Sequence, residues 1–202
     1  MRAVIGIVAC LAGTAAIAKE PRRNVDAFKT MDAFGRCVGR HQVDGMKLLA
    51  TIPNSPEEHK QALRISTSDC LSGGSLQFRP GLLRGAVAQA LLQNAPAALR
   101  RSKAVPAFDA PNPTQLAAAP EDQRAAVALV LFGECVASQN STAVMALLQT
   151  PVESQAEKAA FAPLHKAMTR CSQVTFKVDR FQMRGFLAEG AYRLALKSVP
   201  SA

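Results

Sequence analysis

The stretch at residues 34–38, which reads F-G-R-C-V, returns almost unchanged at residues 132–136 as F-G-E-C-V. Further similar segments follow in the same order in both halves: M-K-L-L at 46–49 and M-A-L-L at 145–148, then L-R-G at 83–85 and M-R-G at 183–185. An internal repeat identifies the architectural unit before any local assignment is made. The sequence therefore predicts two tandem homologous modules in a pseudo-twofold arrangement.

The division of the 202-residue chain follows from the repeat and from two segments outside it. Residues 1–18 are predicted to be a signal peptide. Residues 19–120 are predicted to hold the first module together with a linker rich in Pro and Ala at 95–120, and residues 121–202 the second module. Because proline at the density of this linker prevents a continuous helix, we expect an extended connector.

The N-terminal segment has the three parts of a secretory signal peptide, namely Arg2, an apolar run and the sequence A-I-A ending at Ala18. The run is shorter than the roughly 18 to 20 apolar residues that span a membrane, and no other stretch is long enough. The pattern predicts cleavage after Ala18 and therefore a periplasmic or secreted protein. We expect no transmembrane segment in the mature chain. Two alternatives stay open: an uncleaved membrane anchor, and a lipoprotein acylated on Cys10, since I-V-A-C at 7–10 resembles a lipobox.

Cysteine usage agrees with export. Cleavage removes Cys10 and leaves four cysteines, two in each module. An even number of cysteines in an exported chain indicates disulfides. Because each module should carry its own bridge, the repeat selects Cys37 with Cys70 and Cys135 with Cys171 among the possible pairings.

Both modules carry helical patterns. Residues 34, 37 and 38 lie at helical spacing, as do residues 132, 135 and 136, and S-x-x-E capping boxes at 55–58 and 154–157 begin further helices. Short alternating stretches at 76–78 and 176–178 suggest at most a small two-stranded patch. The predicted fold class is therefore mainly α, with about three or four helices in each module.

The segment V-A-L-V-L-F at 127–132 is apolar on nearly every side of its predicted helix. A helix that is apolar all round must be covered on every face. We therefore expect this helix to lie centrally and to be packed by both modules, which would make the pair one cooperative domain.

Charge and motifs restrict the function classes. The net charge of +9 suits an anionic surface, but export argues against nucleic acid, and a chain without Trp offers few stacking surfaces to single strands. Common motifs of hydrolases, nucleotide-binding proteins and metalloproteases do not occur. The adjacent carboxylates at 57–58 and 121–122 are interpreted as helix-start residues favoured by the helix dipole, not as an acid–base pair. No cofactor is predicted.

A zinc site is the alternative use of the first module's cysteines. His41 follows Cys37 by one helical turn, and His59 and Cys70 would complete a four-ligand set. The second module has Gln139 at the position of His41. We therefore predict no metal site, because disulfides account for all four cysteines with a single rule.

Arg84 and Arg184 recur in the last helix of each module, and each is followed by glycine. Glycine within a helix costs about 1 kcal/mol relative to alanine, so its recurrence indicates close helix packing. In the structural interpretation, the arginines donate to carbonyls at the end of a neighbouring helix or to a carboxylate. In the alternative interpretation, they bind an anionic ligand, since the planar guanidinium suits carboxylate and phosphate.

The succession F-G-x-C-V, M-x-L-L, a capping box, a second Cys and a late R-G resembles a duplicated cysteine-containing helical module of uncharacterised exported proteins from Gram-negative bacteria. The resemblance covers most of the chain after residue 18, and the first copy departs from the pattern at P-G in 80–81. It implies export and assigns no activity and no catalytic residue.

These features predict an exported, non-catalytic helical protein of the cell envelope with a binding or structural role. Its partner is unknown, and another envelope protein or an anionic surface fits the charge. The alternative is an enzyme or ligand-binding protein that uses Arg84 and Arg184, together with His41, on an anionic substrate in a groove between the modules.

Overall fold

A computed structural model describes residues 25–66, 70, 80–94, 108–172 and 177–197. The regular elements in these ranges are all helical, which confirms the predicted mainly-α fold. The helices are α1 (Val25–Arg40), α2 (Gln42–Ala50), α3 (Pro56–Ser66), α4 (Pro80–Asn94), α5 (Pro113–Ala118), α6 (Glu121–Gln139), α7 (Ser141–Gln149), α8 (Gln155–Ala160), α9 (His165–Cys171) and α10 (Arg180–Lys197), with a 3-10 turn at Ala162–Leu164.

Two sequence predictions fall mostly outside the described ranges. The signal peptide at 1–18 lies wholly outside them. The two-stranded patch does so except for residues 177 and 178, which are not in a strand. The end of the predicted linker is described, and it contains the short helix α5, which begins with a capping box between Asn112 and Gln115.

Serine caps begin α3 and α8, as predicted. Ser55 Oγ accepts a hydrogen bond from the backbone N–H of Glu58 at 3.1 Å, and Ser154 Oγ accepts one from Glu157 at 3.0 Å. Satisfying these otherwise unpaired donors fixes where each helix starts. The side chains of the two glutamates accept hydrogen bonds from the backbone N–H groups of Asn54 and Glu153.

Four long helices pack against one another in the order α1, α4, α10, α6. Small residues permit the close approach at the two outer contacts. A Cβ added to Gly35 of α1 would overlap Ala86 of α4, and a Cβ added to Gly133 of α6 would overlap the backbone of Phe186 in α10. The short helices α2 and α3 pack on α4, while α7 packs on α10 and α9 packs on α6.

The central contact joins α4 to α10 through two glycines. A Cβ at Gly85 would overlap the Cα of Gly185, and a Cβ at Gly185 would lie 3.2 Å from the Cα of Gly85. The two R-G segments of the repeat therefore face each other directly. Their glycines bring the backbones close enough for the adjacent arginines to reach across the contact.

The disulfides pair as predicted. Cys37 in α1 is bonded to Cys70, which follows α3, and Cys135 in α6 is bonded to Cys171 at the end of α9. The Cα atoms are 5.6 Å apart in the first bridge and 5.8 Å apart in the second, within the usual range. Each bridge fastens one outer long helix to its own short helices.

The expectation that residues 127–132 lie at the centre is wrong. Val127 and Val130 are buried, but Ala128 is exposed, because α6 packs mainly on α10 and occupies an outer position. The apolar sequence correctly predicted that part of α6 is buried. The central positions are instead occupied by α4 and α10, the helices with the facing glycines. In the described part of the chain, no single helix is long and apolar enough to cross a membrane. Helices α6 and α7 meet that test only as a pair, with a bend of 109° between them.

Candidate functional site

Arg84 of α4 is 1% exposed, and each of its guanidinium nitrogens donates hydrogen bonds inside the protein. Its Nη1 donates to the carbonyl of Leu48 at 2.9 Å and to that of Thr51 at 3.0 Å, at the end of α2. Its Nε donates to Glu189 Oε2 at 3.0 Å, and its Nη1 lies 3.4 Å from Glu58 Oε1. A buried arginine is thus held by helix-end carbonyls and by two buried carboxylates.

Arg184 of α10 is 2% exposed and occupies a closely similar environment at the end of α7. Its guanidinium donates to the carbonyl of Leu147 at 3.0 Å and to that of Leu148 at 2.8 Å. Its Nη1 also donates to Glu157 Oε1 at 3.2 Å, and its Nε donates to Gln89 Oε1 at 2.8 Å. The same kinds of acceptor surround both arginines, except that one carboxylate is replaced by an amide.

The arginines cross between the two halves. Arg84 of α4 reaches Glu189 of α10, and Arg184 of α10 reaches Gln89 of α4. Helix-end carbonyls carry partial negative charge, so each cation stabilises the end of a short helix while it ties the two central helices together. This geometry fits the structural interpretation of the two arginines, which named helix-end carbonyls or a carboxylate as acceptors; both kinds of acceptor are present.

The same geometry removes the main support for the anion-binding alternative. The two guanidinium groups do not converge on one cleft, and their donors point to acceptors within the protein. His41 lies at the start of α2, is exposed and is not among the partners of either arginine. The structure therefore does not bring the three proposed substrate-binding residues together.

The two arginine sites differ in their electrostatics. Burial alone lowers the pKa of Arg84, but the carboxylates of Glu189 and Glu58 reverse this and raise it overall. Burial lowers the pKa of Arg184, and Glu157 together with Asp32 offsets the effect only partly. Burial also raises the pKa of Glu58, against the opposing effect of Arg84. Two carboxylates bond directly to Arg84, whereas only Glu157 does so to Arg184 among the described residues.

His41 also bears on the zinc alternative. A ring nitrogen of His41 and the Sγ atoms of Cys37 and Cys70 all lie within 4.8 Å of one another, whereas His59 is not part of this group. The two sulfur atoms are bonded to each other, so neither is a thiolate that can bind zinc. The proximity of His41 to the bridge follows from its position one helical turn after Cys37.

Phe108 forms a contact that sequence reasoning missed. This residue belongs to the predicted linker, yet it is buried, with the guanidinium carbon of Arg193 4.2 Å from the centre of its ring and that of Arg84 at 5.6 Å. Its carbonyl accepts a hydrogen bond from Arg193 at 2.7 Å. Arg193 also donates to Glu134. The predicted linker is therefore anchored on α10 at Phe108, beside the Arg84 site.

A cavity of about 270 Å³ lies next to the Arg84 site, between the starts of α4 and α6 and the middle of α10. Its lining includes Leu82, Arg84, Ala126, Leu129, Phe186 and Glu189. Sequence reasoning missed this cavity as well, although unequal residues at matching positions of the repeat offered a signal. A smaller cavity of about 110 Å³ lies beside His41, Asp44 and Arg64.

Comparisons with known proteins return no match to this chain, either among family models, among curated sequences or among solved structures.

Proposed function

We propose that the protein is an exported, non-catalytic helical component of the cell envelope that acts by binding or structural support. The observation that carries this proposal is the inward use of Arg84 and Arg184, whose donors bond to carbonyls and side chains of the protein itself. Residues committed to such contacts are unavailable to bind and polarise a substrate. The candidate partners remain another envelope protein or an anionic surface.

The export part of the proposal is supported by two independent features. The two disulfides suit an oxidising compartment, since cytosolic thiols are kept reduced. The segment 1–18 has the order of charge, apolar run and A-x-A site that a signal peptidase recognises. The resemblance to exported modules of Gram-negative bacteria leads to the same location, the periplasm or the exterior.

The proposal also includes a pseudo-twofold pair of modules. Matched contacts support it: the carbonyl of Leu48 corresponds to that of Leu147, and the facing glycines Gly85 and Gly185 lie where such an axis would pass. The residues that cross the contact, Gln89 and Glu189, also occupy matching positions of the repeat. One duplicated unit therefore accounts for both arginine sites.

Export is tested by intact mass of the full chain purified from the envelope fraction of a Gram-negative host. We expect a chain that begins at Lys19 and carries two disulfides. The matched control is Cys10→Ser, which leaves cleavage after Ala18 unchanged but abolishes maturation of a lipoprotein. A product acylated on Cys10, or an uncleaved chain, would contradict the proposed processing.

A further inference from the structure

The two halves of the protein fill equivalent spaces differently. Where α1 meets the start of α10, Phe28 stacks on Phe181 with ring centroids 4.8 Å apart and an angle of 28° between the rings. Phe181 is buried, and Phe28 packs against the core. Aromatic rings contribute large apolar areas to a core, so this pair fills the space between α1 and the start of α10.

The matching positions in the other half carry small residues. The repeat aligns residue 34 with 132 and residue 84 with 184, so Ala126 corresponds to Phe28 and Gly81 corresponds to Phe181. Both Ala126 and Gly81 line the cavity beside Arg84. Under this alignment of the repeat, the cavity of about 270 Å³ corresponds to the space that two phenyl rings fill in the other half.

The size and walls of the cavity define what fits. An apolar cavity of roughly 150 Å³ is enough to bind benzene, and pockets for larger ligands begin near 300 Å³. The walls are mostly apolar, with Leu82, Leu129, Val130 and Phe186 among the lining residues. A group about the size of one substituted aromatic ring suits this space.

The charges at the cavity exclude an anion. Arg84 is the cation in the lining, and its donors already bond to Glu189, Glu58 and the end of α2. Glu189 and Asp122 also line the cavity, so carboxylates exceed cations there. Asp122 lies at the exposed rim, where its Oδ2 accepts a hydrogen bond from Asn54 at 2.7 Å.

We propose that this cavity is a binding site for a small uncharged molecule that carries a single aromatic ring. The ring occupies part of the space that corresponds to Phe28 and Phe181 in the other half, and polar atoms of the ligand face the rim at Asn54 and Asp122. The inference deepens the proposed binding role by giving it a site and a ligand class. It does not depend on export.

The test is a titration of the full chain, with both disulfides formed, against benzyl alcohol and benzoate, followed by calorimetry and protein-observed NMR. These probes share a ring and differ in charge. We expect benzyl alcohol to bind with shifts at residues lining the cavity, and benzoate to bind about tenfold more weakly or not at all. Failure of benzyl alcohol to bind overturns the site, and equal binding of benzoate overturns the ligand class.

Variants that refill the cavity provide the decisive control. Ala126→Phe restores the residue found at the matching position, and we expect it to raise the melting temperature and to weaken benzyl alcohol binding about tenfold or more. Gly81→Phe is an independent refilling variant, because a Cβ at Gly81 meets nothing within 4 Å. The matched control is Ala128→Phe on the exposed side of α6, which should bind like the wild type. Unchanged binding in both refilling variants contradicts the proposal. Because these measurements use purified chain, their failure would leave the export result unaffected.

Discussion

Arg84 and Arg184 are held by backbone carbonyls at matching positions of two short helices, yet they contact different residues across the central contact. Arg84 meets the carboxylate of Glu189, whereas Arg184 meets the amide of Gln89. The pKa of Arg84 is raised, because burial is outweighed by its carboxylates, and the pKa of Arg184 is lowered by burial. Helix-end carbonyls are thus common to both sites. The residue across the central contact, Glu189 or Gln89, determines whether the arginine faces a further negative charge.

The largest expected effect comes from removing each arginine. Arg84→Met leaves two buried carboxylates without their cation. We therefore expect it to lower the free energy of unfolding by about 5 kcal/mol, the upper end for a broken buried ion pair. Arg184→Met leaves Glu157 without its cation, but the other bonded side chain, Gln89, is neutral. We therefore expect a smaller loss of about 3 kcal/mol. Urea unfolding of both variants measures the difference. Equal losses would show that the difference between Glu189 and Gln89 has no effect on stability.

The facing glycines should also respond unequally. Gly85→Ala places a methyl group on the backbone of α10 and should cost about 3 kcal/mol, whereas Gly185→Ala meets Cα of Gly85 at 3.2 Å and should cost about 1 kcal/mol. Gly81→Ala is the control, because its added Cβ meets nothing within 4 Å and should be neutral or slightly stabilising. Thermal unfolding of the three variants checks the order. A tolerated Gly85→Ala would mean that α4 and α10 are further apart than described.

The outer helices offer a comparison in pH dependence, between Asp32 of α1 and Glu134 of α6. Burial raises the pKa of Asp32 above its ordinary 3.8, although the salt bridge with Arg36 opposes this. Burial would also raise the pKa of Glu134, but hydrogen bonds from Lys197 and Arg193 lower it below 4.5 overall. The two carboxylates should therefore affect stability in opposite directions as the pH changes.

The contribution of Glu134 is present above pH 4.5 and is lost as the pH falls through its lowered pKa. Glu134→Gln should therefore destabilise the protein by about 1 kcal/mol at pH 7 and by less at pH 3. Asp32 favours the folded state below pH 3.8, and this contribution is lost as the pH rises through its raised pKa. Relative to wild type, Asp32→Asn should thus become more stable as the pH rises from 3 to 7. Parallel trends in the two variants would contradict the stated pKa directions.

The smallest effect is expected at Tyr192, which stands where the first half has Leu92. The hydroxyl of Tyr192 is buried and has no hydrogen-bond partner among the described residues. Burial and the nearby Glu189 raise its pKa, so it stays protonated. Because Tyr192→Phe removes an unsatisfied polar atom, we expect a change within about 0.5 kcal/mol of zero or slightly stabilising. A loss above about 1 kcal/mol would reveal a partner for the hydroxyl.

Local rules were enough to predict much of the fold. The repeat determined the cysteine pairing, and the S-x-x-E pattern located the starts of α3 and α8 because a serine cap depends only on neighbouring backbone groups. The structural interpretation of Arg84 and Arg184, with helix-end carbonyls or a carboxylate as acceptors, also followed from their recurrence beside glycine in both modules. These features depend on short stretches of sequence that have the same form in both halves.

The rest depended on how distant helices align. Nothing local shows that Glu189 meets Arg84, because the contact depends on the register of α4 against α10. Apolarity alone misplaced residues 127–132 at the centre, since it predicts burial but not which neighbour provides it. The proline content of the linker likewise could not show that Phe108 packs against two arginines. One signal for the cavity was present in the sequence, because the repeat aligns the large Phe28 with the small Ala126.

The contacts of Arg84 with Glu189 and of Arg184 with Gln89 join α4 to α10 and so hold the two halves together. A double-mutant cycle on Arg84→Met and Glu189→Gln, measured by urea unfolding of the full chain, tests it most directly. We predict a coupling energy of about 2 to 3 kcal/mol, because Glu189→Gln relieves part of the loss caused by Arg84→Met. The parallel cycle on Arg184→Met and Gln89→Met should give a smaller coupling, below about 1.5 kcal/mol. Additive effects at Arg84 and Glu189 would contradict the account.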